Sequence, residues 1–86
     1  MRFILDKAVV YEKIKEIMIS HFGIDAVSIS PEKRLDDDLK LDSLDMVDLI
    51  LGLSDYIGKK IDPTLFKDAG TVQNLVDSVF PLWKSE

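Results

Sequence analysis

The sequence predicts an all-α protein, a small bundle of three main helices plus one short helix, with a long first loop. Apolar residues in three segments recur three and four positions apart, the spacing that places them on one helical face. A residue type favoured at helix starts stands at the head of each segment. No segment alternates apolar and polar residues as a half-buried strand does. At 86 residues the chain is long enough for one small domain, which we expect over residues 1–86.

The first helix is expected to start at the capping residue Asp6 and to end at about Phe22. Gly23 follows, and a glycine directly after the last helical residue is a common stop signal. One face of this helix is expected to pack inward because its residues fall together on a helical wheel. This face carries Val10, Tyr11, Ile14, Ile17, Met18, His21 and Phe22.

The connection over residues 23–42 is long for a compact domain, where a loop of about 20 residues without internal structure is unusual. In the stretch "SPEKRL", Ser30 can cap and Pro31 suits a first helical position, so we expect one short turn there. Apolar side chains are expected to pin the rest of the loop onto the core. They are Ile24, Val27, Ile29, Leu35 and Leu39.

The second helix is expected to run from about Ser43 to Ile57, and Gly58 is expected to end it. Two lysines follow in "GKK" and make the next turn basic. Further on, Asp62 can cap and Pro63 suits the first turn of a short helix within "DPTLFKDA".

The last helix is expected to be capped by Thr71. Pro81 lacks a backbone N–H and crowds the preceding turn, so we expect it to end or kink this helix. The apolar residues before Pro81 predict an inward stripe formed by Val72, Leu75, Val76, Val79 and Phe80.

Composition and charge exclude several classes of site and partner. The chain has no cysteine and one histidine, His21, so we expect neither a disulfide nor a zinc site. The run "DDD" at residues 36–38 lacks the spacing of a calcium loop, so we expect a solvated acidic loop and no metal. A net charge of −5 disfavours nucleic acid and favours basic partners. No apolar run approaches the roughly 20 residues of a membrane span, and we expect a cytoplasmic monomer.

The second helix carries apolar residues over a wider arc than a surface helix of a small bundle needs. One arc is formed by Met46, Leu49, Ile50, Leu53 and Ile57. The adjoining arc is formed by Leu44, Val47 and Leu51, and its acidic border by Asp48 and Asp55, with Asp45 beyond them. Either the helix is buried on most sides, or the second arc faces outward. An outward apolar strip edged by acids suits a transient interface with a basic partner.

Ser43 stands at the start of this helix, where a serine can act as a cap or as a first-turn residue. A hydrolytic role is disfavoured because a nucleophilic serine needs a base beside it, and His21 belongs to another helix. We therefore expect no catalytic residue. A further option is a phosphoester on the hydroxyl, since the N–H groups and the dipole at a helix start favour an anionic phosphate.

The stretch "DSLDMVDLIL" resembles the prosthetic-group motif of acyl carrier proteins, in which Asp-Ser-Leu heads the second helix. The similarity runs without a gap from about Ile14 to Val79. "HFGI" resembles the end of the family's first helix, "DDDLKLDSLD" its Glu-Asp-Leu-Gly-Ala-Asp-Ser-Leu-Asp approach, and "TVQNLVD" its last helix. The resemblance implies that Ser43 carries 4′-phosphopantetheine from coenzyme A, with Asp42 and Leu44 as flanking motif residues.

The resemblance also implies a function in which the protein is a carrier and not itself an enzyme. A phosphopantetheinyl transferase would load the arm, which would hold acyl intermediates as thioesters. The partners would be acyltransferases, ketosynthases or other enzymes with basic patches, in fatty acid, polyketide-like or specialised lipid biosynthesis. The partner-recognition residues implied are Leu44, Asp45, Val47, Asp48, Leu51 and Asp55, the outward arc and its acids.

Three features depart from the family pattern. Gly52 stands at a common alanine, Ser54 replaces an acid common in fatty-acid members, and the basic "GKKIDPTLF" replaces an acidic stretch. We interpret Lys59 and Lys60 as a sign of a specialised carrier, because like charges would repel a basic partner. Two alternatives remain. An aminoacyl or peptidyl carrier usually shows Gly-Gly-x-Ser, which "LKLDSL" lacks, and an unmodified interaction module would not need the intact motif.

Overall fold

The computed structural model describes residues 6–66 and 68–84, and the other residues of the predicted domain lie outside this described part. It contains three α-helices: α1 (Lys7–Phe22), α2 (Ser43–Ile57) and α3 (Val72–Lys84). Two short 3₁₀ turns lie between them, at Ala26–Ser28 and Pro63–Phe66. The described residues form no strand, so the predicted all-α class and the short helix before α3 are confirmed.

Both ends of α1 are where the sequence predicts them. The Asp6 carboxylate accepts the N–H of Val9 at 3.0 Å, and Gly23 ends the helix in the left-handed conformation, with φ of 68°. Val10, Ile14 and Met18 are fully buried, and Tyr11, Ile17 and Phe22 pack partly against the core. The inward placement of His21 is wrong. Its ring is exposed and makes a T-shaped contact with the ring of Phe22, with 5.0 Å between the ring centroids.

The long loop is anchored by most, but not all, of the predicted side chains. A turn closes where the N–H of Lys33 donates to the carbonyl of Ser30 at 3.1 Å. Ile29, Leu35 and Leu39 are buried, and Leu41 joins them. Ile24 packs partly against the core, but Val27 is 93% exposed, so its predicted role as an anchor is wrong. Val27 lies in the first 3₁₀ turn, all three of whose residues face solvent.

The same loop holds the start of α3. The carbonyls of Pro31 and Lys33 accept the N–H groups of Gln73 and Val72 at 2.9 and 3.0 Å. Thr71 and Asn74 complete the cap reciprocally, each side chain accepting the other residue's N–H at 3.1 Å. These bonds satisfy N–H groups that a helix start cannot satisfy by itself. The loop segment that leads to Ser43 is thereby fixed to the bundle.

Of the two effects predicted for Pro81, an end or a kink of α3, the end is wrong. Val72, Leu75, Val76 and Val79 are buried as expected, but the helix continues through Pro81 to Lys84, so it does not end there. Proline removes the hydrogen bond to the carbonyl four residues earlier, which belongs to the exposed Asp77 and remains open to water. The carbonyls of Leu82 and Trp83 in the last turn, which have no partner within the helix, accept hydrogen bonds from the Lys59 ammonium, both at 3.2 Å.

Candidate functional site

The start of α2 is capped by aspartates. The Asp42 carboxylate accepts the N–H of Asp45 at 2.9 Å, and the Asp45 carboxylate accepts the N–H of Asp42 at 3.2 Å. This reciprocal capping box makes Ser43 the first helical residue and gives the capping role to Asp42. The Ser43 side chain is exposed, and its hydroxyl is free to serve another purpose.

The two apolar arcs of α2 have different environments. Met46, Leu49, Ile50 and Leu53 are buried in the core, and Ile57 packs partly against it. In the other arc, Leu44 is 76%, Leu51 51% and Val47 37% exposed. Asp48 and Asp55 beside them are exposed, and Asp45 is half-buried. The second arc therefore faces outward, and the interpretation of α2 as buried on most sides is wrong.

A pocket of about 390 Å³ opens beside Ser43. Its walls come from three parts of the chain: Leu41 in the loop, Ser43, Met46 and Val47 in α2, and Pro63 in the second 3₁₀ turn. None of its lining residues is basic. The apolar walls can shelter a hydrophobic group next to Ser43, at the N-terminal end of α2.

The backbone reaches the site through Lys40, which has a left-handed conformation with φ of 60°. Its N–H donates to the carbonyl of Asp36 at 3.1 Å. The turn lets Leu39 and Leu41 both enter the core while Lys40 between them stays exposed. A side chain other than glycine adopts this conformation at a cost. The Glu-Asp-Leu-Gly-Ala-Asp-Ser-Leu-Asp stretch of the family has glycine at this position, and that glycine is a signal of the turn.

The acidic run before Lys40 has internal partners. Arg34 Nε lies 3.3 Å from an Asp36 carboxylate oxygen and 3.8 Å from one of Asp37, and the Asp38 carboxylate accepts the Arg34 N–H at 2.8 Å. The N–H of Asp37, followed by Arg34, holds the pKa of Asp36 below its usual range. The described residues include no group of three ligating side chains that could hold a metal ion.

The far end of α2 is closed by a second set of hydrogen bonds. Gly58 ends the helix with φ of 74°. The Ser54 hydroxyl donates to the carbonyl of Lys59 and accepts the N–H of Ile61, the latter at 3.2 Å. The Lys59 ammonium binds the end of α3, and Lys60 beside it is exposed. The interpretation of Lys59 as part of a partner surface does not include this structural use of Lys59 and Ser54, which depends on residues far apart in the chain.

The chain is similar to one family of known proteins and to several of its members. Residues 12–79 match the family described as a phosphopantetheine attachment site. Acyl carrier protein 2 from Ralstonia nicotianae is 37% identical over 70 residues, which cover 81% of this chain and 86% of that protein. An acyl carrier protein from Solidesulfovibrio magneticus is 36% identical over 70 residues, with the same two shares covered. A solved structure of the acyl carrier protein from Enterococcus faecalis superposes with a TM-score of 0.67 at 27% identity, covering 90% of this chain and 98% of that one.

Proposed function

The chain belongs to the acyl carrier protein family, and from this premise we propose that Ser43 is the residue to which its 4′-phosphopantetheine cofactor is attached. The bound group supplies a thiol that holds acyl intermediates as thioesters. The observation that carries the assignment to Ser43 is its exposed hydroxyl at the start of α2, which the capping box leaves unused. The pocket beside it supports the same assignment.

The residues around Ser43 orient its side chain and provide a favourable environment for a phosphate. Asp42 fixes the first turn, so that the serine projects from the helix end with a defined orientation. The positive end of the helix dipole favours the phosphate of a phosphoester there. The single histidine, His21, lies on α1, where its ring contacts Phe22, so in this proposal activation of the hydroxyl comes from the transferase that loads it. In this proposal the chain itself contributes no catalytic residue.

The outward face of α2 is proposed as the recognition surface. Leu44, Val47 and Leu51 supply apolar contact area beside the attachment site. Asp45, Asp48 and Asp55 supply negative charge that attracts basic patches on the phosphopantetheinyl transferase, acyltransferases and ketosynthases. A cytoplasmic monomer folded as one domain over residues 1–86 would leave this face open to each enzyme in turn.

The attachment residue is tested by loading the protein with coenzyme A and a broad-specificity phosphopantetheinyl transferase. Intact mass should rise by one phosphopantetheinyl group in the native protein and stay unchanged in Ser43→Ala. Ser54→Ala is the matched control, since it removes a hydroxyl from the same helix and should load normally. A full mass shift in Ser43→Ala would move the attachment site to another residue.

The recognition surface is tested by reversing one of its charges. Asp48→Lys should lower the association rate with the same transferase several-fold at low salt, and the difference should shrink as salt screens the interaction. Glu12→Lys makes the same change on the exposed side of α1 and should associate at the native rate. Equal effects of the two substitutions would mean that net charge, and not this surface, controls association.

A specialised pathway is the second part of the proposal, and Lys60 supports it. Lys60 is exposed next to a groove lined by Leu51 and Asp55, which continues the outward face of α2. A positive charge there would repel a basic patch that extends to the end of the helix. Loaded native protein and Lys60→Glu should be compared as substrates of a ketosynthase from routine fatty acid synthesis. A higher kcat/KM for the variant supports a specialised carrier, and equal values argue for routine fatty acid synthesis.

A further inference from the structure

The surroundings of Ser43 are strongly acidic. Between residues 35 and 58 the sequence has seven aspartates, Asp36, Asp37, Asp38, Asp42, Asp45, Asp48 and Asp55, and a single basic residue, Lys40. The pocket beside Ser43 also has no basic residue among its walls. A phosphate on Ser43 would lie next to the carboxylates of Asp42 and Asp45, which repel it. The helix dipole offsets part of this repulsion, and a nearby cation would offset more.

Lys40 has a long charged side chain at a position whose left-handed backbone conformation favours other residue types. Its φ of 60° lies in the left-handed region, which glycine adopts freely and asparagine adopts more readily than most residues. The turn itself has a structural purpose, since it buries Leu39 and Leu41 on either side. That purpose does not require a lysine. A side chain in an uncommon backbone conformation beside a candidate functional residue points to a role for that side chain.

Lys40 lies close to the attachment site along the chain. Lys40 is exposed, and it forms no salt bridge within the described residues. Two residues, Leu41 and Asp42, lie between it and Ser43, so the Cα distance is at most roughly 11 Å even if the chain is fully extended. The four-carbon side chain of Lys40 can extend towards Ser43, and a phosphate esterified to Ser43 extends beyond its hydroxyl, so both can shorten the distance between the ammonium and the phosphate.

We propose that Lys40 pairs with the phosphate group carried on Ser43 and holds the base of the arm near the mouth of the pocket. The inference rests on the proposed attachment at Ser43. The pairing compensates the repulsion from Asp42 and Asp45, and it explains why a lysine occupies the left-handed turn. Lys40 is in this sense a positioning residue, which acts on the attached group and does not take part in its transfer.

The test compares loaded variants by ³¹P NMR, which reports the environment of the single phosphate directly. Native protein, Lys40→Arg, Lys40→Asn and Lys40→Gly are loaded with coenzyme A and the transferase, and intact mass verifies loading. Asparagine and glycine both suit the left-handed turn, so these variants should keep the fold, which thermal unfolding checks. Lys33→Asn, which removes an exposed lysine elsewhere in the same loop, is the matched control.

At low salt, native protein, Lys40→Arg and Lys33→Asn should share one ³¹P resonance position, and Lys40→Asn and Lys40→Gly should differ from it. Raising the salt concentration should move the native resonance towards that of Lys40→Asn, because salt screens the pairing. Identical resonances in loaded native protein and Lys40→Asn would overturn the inference, as would a shift in Lys40→Arg equal to that in Lys40→Asn. A native protein that fails to load at Ser43 overturns the proposed function itself, and the mass spectrum distinguishes this outcome.

Discussion

The two ends of α2 contain the same residue types in different roles. At the N-terminal end, Asp42 and Asp45 make the capping hydrogen bonds, and Ser43 is exposed. At the C-terminal end, Ser54 is half-buried, and its hydroxyl bonds the carbonyl of Lys59 and the N–H of Ile61. One serine is open to modification, and the other is committed to the turn that follows the helix.

The lysines near the two ends show the same contrast. Lys40 is exposed before the helix, and Lys59 after it donates to two carbonyls at the end of α3, more than 20 residues away in the chain. Residue type therefore does not separate a functional side chain from a structural one. The difference lies in whether the polar atoms of the side chain already form hydrogen bonds within the fold. Four predictions test how α2 and the segments on either side of it are stabilised, from the largest expected effect to the smallest.

The two serines should show opposite effects when each is replaced by alanine. Ser43→Ala should abolish attachment of the arm and leave the free energy of unfolding almost unchanged. Ser54→Ala should load fully but lose about 1–2 kcal/mol of stability, because the N–H of the buried Ile61 is left without its partner. Intact mass and urea unfolding measure the two effects. A stability loss in Ser43→Ala equal to that in Ser54→Ala would contradict the contrast.

The two adjacent lysines should differ in their effect on stability. Lys59→Glu should destabilise the protein by about 1 kcal/mol, since a negative charge would face the carbonyls at the C-terminal end of α3. Lys60→Glu, the matched control, makes the same charge change on an exposed side chain and should change the unfolding free energy very little. Urea unfolding of both variants is the measurement. Equal stability of the two would show that the bond to α3 contributes nothing in solution.

The two glycines of this region should respond oppositely to alanine. Gly52 lies inside α2, and an added Cβ would meet only Ile17 Cγ2 at 3.8 Å, an ordinary contact. Gly52→Ala should therefore stabilise the protein by about 0.5–1 kcal/mol, because alanine favours the helix interior. Gly58→Ala should destabilise it, since its φ of 74° disfavours a side chain. Thermal unfolding compares both with the native protein, and destabilisation by Gly52→Ala would indicate crowding against α1.

The contribution of Asp36, in the loop before α2, to the stability of the protein should depend on pH. The N–H of Asp37 and the Arg34 guanidinium lower the pKa of Asp36 in the folded protein below its unfolded value. Its contribution is therefore present above the ordinary aspartate pKa of about 3.9 and is lost as pH falls through the lowered value. The stability difference between native protein and Asp36→Asn should be measurable at neutral pH and vanish in acid. Asp25→Asn is the control, and a difference independent of pH would exclude this cause.

The sequence by itself determined the features that depend on neighbouring residues. The caps at Asp6 and Thr71 and the stops at Gly23 and Gly58 were predictable because each bond or turn spans only a few positions. The inward arc of α2 followed from helical periodicity. The choice of Ser43 as the candidate site came from a contiguous motif.

Tertiary structure decided the features that depend on distant segments. Whether the second arc of α2 is buried or exposed depends on how α1 and the loop pack, which periodicity does not specify. The hydrogen bonds at the end of α3 come from Lys59, far away in the chain. The pocket beside Ser43 exists only where the loop, α2 and the second 3₁₀ turn meet. Helical periodicity and capping act over a few residues, but exposure and long-range hydrogen bonding are set by the packing of whole elements.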